Sequence, residues 1–158
     1  PFFDDKYNLV AIQGRTINDS SIRYITIKIK DDVLKLYGLD NVKMDNTVYV
    51  LEGPLDSLFV DNSVAMAGSD CDLEYFKKFK DVVFIYDNEP RNSQIVKKMQ
   101  KVVDNSYGIF IWPEDVKEKD INDMVVNGYT EDKLQTLIRN NIKYGLSAKA
   151  CLNQWKRC

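Results

Sequence analysis

The sequence predicts an α/β fold, a mostly parallel sheet with helices on both faces, preceded by a short β-rich subdomain. Three observations predict it. From Thr47 onward, short apolar runs rich in β-branched residues alternate with helix-length amphipathic stretches. One run, 82–86, is apolar throughout, as expected of a strand buried on both faces. The connections are short, which favours parallel crossovers within one sheet. With 158 residues, 44% of them apolar and 11% aromatic, the chain can build one core, so a disordered chain and a disulfide-stapled mini-fold are excluded.

The β-rich start is read from two runs. Residues 9–12 are apolar and are closed by Gly14, and residues 24–29 alternate with period two. Asn18-Asp19-Ser20 between them is turn chemistry. The next strand is 48–51, and Pro54 after Gly53 suits the first turn of a helix running to about Val60. A strand at 64–67 ends at Gly68, and Asp72 is placed to cap a helix through Phe79. Strand 82–86, a helix over 93–103 and strand 109–112, stopped by Pro113, follow. Thr130 opens a helix to Asn140, with Glu131 and Asp132 in its first turn, where acids favour the dipole. A short amphipathic helix over 146–155 closes the chain, with Leu146, Ala150 and Trp155 near one side. Tyr24, Tyr49, Tyr86, Trp112 and Trp155 read as packing residues, and Gly53 as a close backbone approach at a strand-to-helix turn.

Composition excludes several chemistries. There is no histidine, which removes Ser-His-Asp and Cys-His nucleophile systems and His-ligated zinc or haem. Cys71, Cys151 and Cys158 form no C-x-x-C pair and cannot supply a four-thiolate zinc site; their odd number and wide spacing fit a reducing compartment. No apolar run approaches the roughly 20 residues that span a bilayer. The chain begins at Pro1 without an initiator Met or a signal peptide, which reads as part of something longer. The net charge of −2 argues against a uniformly basic nucleic-acid binder. It is unevenly spread: Lys133, Arg139, Lys143, Lys149, Lys156 and Arg157 follow one another with no acid among residues 133–158, so residues 1–132 carry −8. Such a body suits cations, and such a tail suits an anion or another protein, unless it is simply a solvated helix face.

Acids stand at the predicted strand ends, where open α/β sheets bind ligands. Glu52 follows strand 48–51 with Asp56 four residues on, Asp87 and Glu89 follow strand 82–86, and Asp120 and Asp123 come after strand 109–112. Converging carboxylates repel, and a divalent cation is the usual remedy. Oxygen ligands without Cys or His select Mg²⁺ or Mn²⁺, which serve phosphoryl transfer. By pattern alone the acids are either such a site or a solvated acidic edge.

The ordered runs add a resemblance. Glu52-Gly53-Pro54-Leu55-Asp56 after a strand, then a hydrophobic strand ending in Asp87-Asn88-Glu89, resembles the Toprim domain of topoisomerases, primases and related nucleases. The runs 48–59, 87–91 and Lys119-Asp120-Ile121-Asn122-Asp123-Met124 are similar to the DNA primases of T-even-type bacteriophages. So are Gln13-Gly14-Arg15, Leu36-Tyr37-Gly38, Asn140-Asn141-Ile142 and Gly145-Leu146, and the similarity covers essentially the whole chain.

The resemblance implies a Toprim-type fold and the RNA-primer-synthesising core of a primase, acting on single-stranded DNA with ribonucleoside triphosphates in the host cytoplasm beside the replicative helicase. It implies residues 1–46 as the remnant of an RNA-polymerase subdomain, 47–128 as the Toprim domain and 129–158 as basic C-terminal helices. Glu52, Asp56, Asp87 and Glu89 take the catalytic positions; Glu52, Asp87, Glu89, Asp120 and Asp123 take those of Mg²⁺ or Mn²⁺ ligands. Glu89 stands where most Toprim domains have Asp. Asn122 stands where bacterial primases have an acid, with Asp123 beside it to compensate. Arg15, Lys28 and Arg91 are candidates for nucleotide phosphates or template. In the basic tail, Arg139 and Lys143 are assigned to template and the last ten residues to helicase docking or internal packing. The zinc module of the family cannot lie within this chain, since His and C-x-x-C are missing. A Toprim nuclease or topoisomerase subdomain and a non-catalytic helicase-docking module are the alternatives.

Overall fold

The computed structural model describes residues 1–17, 24–30, 34–68 and 72–158. The predicted Asn18-Asp19-Ser20 turn and Cys71 lie outside the described residues. The β-rich start is a three-stranded antiparallel sheet of β1 (Phe2–Phe3), β2 (Leu9–Arg15) and β3 (Tyr24–Lys28). Ala11 pairs with Lys28, Gln13 with Thr26 and Arg15 with Tyr24, so these residues share one face. That face meets the rest of the chain: Ala11 is buried, and Gln13 donates to Thr26 Oγ1 and to the Ala67 carbonyl. The other face carries Ile12, Ile25 and Ile27, all exposed, with Ile29 exposed beyond the strand end. The alternation over 24–29 is thus real, but its apolar side points away from the core. Tyr24, expected to pack, is exposed on the polar side.

The second sheet has five strands: β4 (Thr47–Leu51), β5 (Ser63–Ala65), β6 (Asp81–Ile85), β7 (Gly108–Phe110) and β8 (Ile142–Lys143). Their order is β5-β4-β6-β7-β8; the first four run parallel and β8 pairs antiparallel with β7. The helices are α1 (Pro54–Ser57), α2 (Ser93–Asp104), α3 (Ile121–Val126), α4 (Glu131–Asn140) and α5 (Gly145–Trp155). The stretch after Asp72 is a 3-10 helix, Leu73–Lys78, whose Asp72 cap accepts from the Glu74 N–H. The helix expected from Pro54 to about Val60 stops at Ser57, where the Leu58 and Phe59 amides turn back to the Leu55 and Asp56 carbonyls.

The chain leaves β4 for β5 on one side, then crosses back to β6 on the other side of β4. Right-handed crossovers in opposite directions put α1 on one face and the 73–78 turn with α2 on the other. The β6 side chains agree: Phe84 meets Phe76 edge-on at 5.2 Å and Tyr107 at 5.6 Å on the α2 face. Val48, Val50, Phe84, Ile109 and Phe110 are fully buried in one core, each worth about 1.5–3 kcal/mol of burial.

The last helix differs from the expected amphipathic face. Ala148, Leu152 and Trp155 are buried, whereas Leu146 is 84% exposed and Ala150 is exposed. The helix begins at Gly145 and packs on α2, which selects 148, 152 and 155 as the inner stripe. The basic tail is also partly paired: Lys149 binds Asp104 at 3.1 Å and Arg157 binds Glu114 at 3.0 Å.

Candidate active site

The reversal of direction between β4 and β6 creates a crevice beyond their carboxyl ends, the position at which such sheets bind ligands. Glu52 leaves β4 there and Asp87 stands one residue past β6-flanking Tyr86. Leu51 and Ile85 are register partners, so the two acids emerge side by side. The Asp87 N–H donates to Glu52 Oε2 at 3.3 Å.

Asp56 enters from the first turn of α1. Gly53 makes room for it: a Cβ at Gly53 would lie 2.4 Å from Asp56 Oδ2. Asp56 Oδ1 accepts the Asn122 N–H at 2.9 Å, which fastens α1 to the start of α3. Asp120 caps α3, its Oδ1 accepting the Asp123 N–H at 2.7 Å. Asn88 draws the same loop in, donating through its amide to the Val116 and Glu118 carbonyls. Trp112 fixes the floor: its indole N–H donates to the Tyr86 carbonyl at 2.7 Å.

The electrostatics match this crowding. Burial, then Glu52 and more distantly Asp56 and Asp120, pushes Asp87 up to about 7, against Lys119, which pulls it down. Burial, then Asp120 and Asp123, pushes Asp56 up to about 6, although the Asn122 N–H opposes the rise. Two lysines that the sequence did not single out answer part of the charge. Lys119 lies 3.4 Å from Asp87 Oδ2 and 3.4 Å from Glu89 Oε1, and Lys98 of α2 lies 3.2 Å from Glu52 Oε1. Lys119 had a signal in its place directly before Asp120; Lys98, 46 positions from Glu52, had none.

Glu52, Asp56, Asp87 and Asp120 therefore line one crevice. Asp123, in the first turn of α3, is near enough to add to the rise of Asp56, while Glu89 is turned to Lys119 and to the Asn92 amide at 2.7 Å. Among the described residues no three of these carboxylates stand close enough to hold one ion as they lie. Glu89 and Arg91 face a larger cleft of about 860 Å³ beside the acids, bounded also by Pro113 and Arg157. Arg15 lies over the Tyr24 ring at 5.5 Å, on the same β2 face as Gln13, and Lys28 lies at the other end of that ladder. Ala67, which accepts from Gln13, donates its own N–H to the Glu52 carbonyl, so β2 borders the site. Arg139 and Lys143 are elsewhere. Because β8 is antiparallel, Lys143 heads for the amino edge, where Tyr144 bonds Asp81; Arg139 sits close enough to the Tyr49 phenol to pull its pKa down against burial.

No protein-family profile matches the chain. The DNA primase of Enterobacteria phage T4 is 39% identical over 99% of this chain, which spans 46% of that protein. The Escherichia coli primase catalytic core superposes with a TM-score of 0.70 at 15% identity, covering 98% of this chain and 54% of that one. The primase fragment of the bacteriophage T7 primase-helicase protein gives 0.58 at 18% identity, covering 84% of this chain and 57% of that one. By sequence, then, the chain is a relative of phage DNA primase along nearly its whole length, and by fold it belongs with the primase catalytic cores.

Proposed function

We propose that this chain forms the catalytic core of a DNA primase, which makes short RNA primers on single-stranded DNA by metal-dependent nucleotidyl transfer during phage replication. The observation that carries the reading is the convergence of Glu52, Asp56, Asp87 and Asp120 at the β4–β6 switch point, with two carboxyls held near neutrality. Kinship to a phage primase supplies the reaction class.

The donor set fits a hard divalent cation. It is all oxygen, and Asp56 and Asp87 are raised first by burial and then by the neighbouring carboxylates, whose repulsion a cation would relieve. Glu52 and Asp87 would hold Mg²⁺ or Mn²⁺, and Glu89, Asp120 and Asp123 are the further candidate ligands. When bound, the ion neutralises phosphate charge and eases attack by a ribose 3′-hydroxyl. Glu52, fixed through Oε2 by the Asp87 amide, is placed to accept the proton of that hydroxyl. Asp56 holds α1 against α3 and so sets the width of the crevice. Lys119 carries positive charge to the Asp87–Glu89 edge of the crevice.

Arg15, Lys28 and Arg91, the first two at opposite ends of the β2–β3 ladder and the third in the larger cleft, would serve template and nucleotide phosphates. Arg139 and Lys143 meet the template away from the reacting atoms. The T7 relative in fold is a primase-helicase protein, which supports a replicative helicase as partner, and kinship to a phage primase suits the host cytoplasm as the place of action.

The test is Glu52→Gln in the full-length protein. Template-directed synthesis of RNA primers from ribonucleotides should fall about 10²–10⁴-fold with the fold unchanged. Near-normal priming by the folded variant rejects the assignment, and DNA cleavage in place of priming would assign the site to a nuclease.

A further inference from the structure

The polar side of α2 carries Lys97, Lys98 and Lys101, spaced so that Lys97 and Lys101, and Lys98 and Lys101, are surface neighbours. Like charges at this spacing weaken a helix, so the stripe needs a compensating partner. The helix does not supply one: its sole acid, Asp104, is bound by Lys149 and Gln100. None of the described carboxylates lies within ion-pair distance of Lys97 or Lys101. Lys97, Lys98 and Lys101 line a crevice of about 240 Å³ together with Met66, Leu73, Tyr86 and Val102. One of them, Lys98, reaches across to Glu52 Oε1, so the crevice opens beside the acids.

We infer that Lys97, Lys98 and Lys101 bind the polyphosphate of a nucleotide, holding it next to the carboxylates. This deepens the reading that the site handles nucleotides and rests on it. Lysine is a compact point charge with rotatable donors, suited to phosphate oxygens. Three such charges around a short crevice match a compact polyanion, whereas a nucleic-acid strand needs a continuous groove. Lys98 serves as the link. It answers Glu52 while the crevice holds no anion, and turns to phosphate when one enters.

The experiment is calorimetric titration of inorganic tripolyphosphate and of ATP into the chain in EDTA at low salt, so that no metal on the carboxylates contributes. The double substitution Lys97→Gln/Lys101→Gln should weaken both by about tenfold or more, since each removes charge-assisted contacts. Lys133→Gln, on α4, should leave them unchanged. Binding of a single-stranded DNA 12-mer should be nearly the same in the double variant. Both variants alter exposed side chains, and melting curves verify that they fold; Lys97→Gln alone repeats the test if the double variant does not. Tripolyphosphate bound equally by wild type and variant overturns the inference. So does an equal loss of 12-mer binding, which would make the stripe a strand track. Priming is measured separately: lysine-dependent tripolyphosphate binding in a protein that never primes would reject the primase reading and leave this site standing.

Discussion

The backbone N–H of Asn122 donates to Asp56 Oδ1 at 2.9 Å, joining residues 66 positions apart. Asp56 stands in the first turn of α1 and Asn122 in the first turn of α3, so one carboxylate tethers two crossover segments and also faces the acid crevice.

Asp56→Ala should lose about 1–3 kcal/mol of stability, because the Asn122 amide is left without its acceptor. Asp56→Asn retains an acceptor oxygen and should stay within about 1 kcal/mol of wild type. Urea unfolding of the three proteins decides; equal stability of the Ala and Asn variants would show that the tether contributes nothing.

The raised carboxyls fix the sign of a pH effect. Asp87 at about 7 and Asp56 at about 6 both lie above the ordinary 3.8 of Asp, so the folded state binds protons more tightly than the unfolded one. Their contribution is complete below the ordinary value and is lost as pH rises through 6 and 7. In EDTA at constant ionic strength, Tm should fall between about pH 5 and about pH 8, and fall less in Asp87→Asn. A profile rising over that window would contradict the burial of these groups.

A cation that binds only the folded form should offset that loss. Millimolar Mg²⁺ or Mn²⁺ should raise Tm clearly near pH 8 and little near pH 5, where protons compete for the same oxygens. An equal rise in wild type and Asp87→Asn would reduce the effect to general salt screening.

Gly53→Ala separates site geometry from fold. The backbone there is at φ −106°, which any residue adopts, and the new Cβ meets only the tip of the Asp56 side chain. Stability should fall by no more than the roughly 1–3 kcal/mol of the Asp56 tether, whereas primer synthesis should drop because Asp56 is displaced. Unaltered priming would mean that the position of Asp56 is not critical.

In the tail, Trp155→Ala should cost about 3–5 kcal/mol, since Trp155 packs in the core, while Leu146→Ala should leave stability unchanged. A helicase-binding assay on Leu146→Ala then reports docking free of any folding defect.

Most strands were legible because apolar runs such as 82–86 leave few alternatives, and their ends moved by only a residue or two, save for β2, which runs on from Ile12 through Gly14 to Arg15. Short elements were not. β8 is two residues long and acquires its identity only by pairing with Phe110 and Ile109. α3 hid in an acidic stretch that reads equally well as loop, and its cap, Asp120, was seen only as a candidate ligand. Among the acids, the gathering of Glu52, Asp56, Asp87 and Asp120 followed from strand ends and parallel direction. The turn of Glu89 toward Lys119 and Asn92 depends on side-chain rotamers, which spacing does not encode. The exposed row of Ile12, Ile25 and Ile27 shows the limit of periodicity: it identifies an apolar face but not the side on which the body lies.

The parallel register of β4 on β6 has a consequence in time. Thr47 must find Asp81, and each residue up to Leu51 its partner up to Ile85, before the acids beyond the strand ends come into range of one another. Their repulsion is therefore felt only once that pairing has formed. Interactions absent from the rate-limiting step change the rate of unfolding and leave that of folding alone. Neutralising the cluster, by Asp87→Asn or by a bound cation, should lengthen the lifetime of the native state while refolding proceeds at its former pace, and stopped-flow measurements in both directions would show the asymmetry.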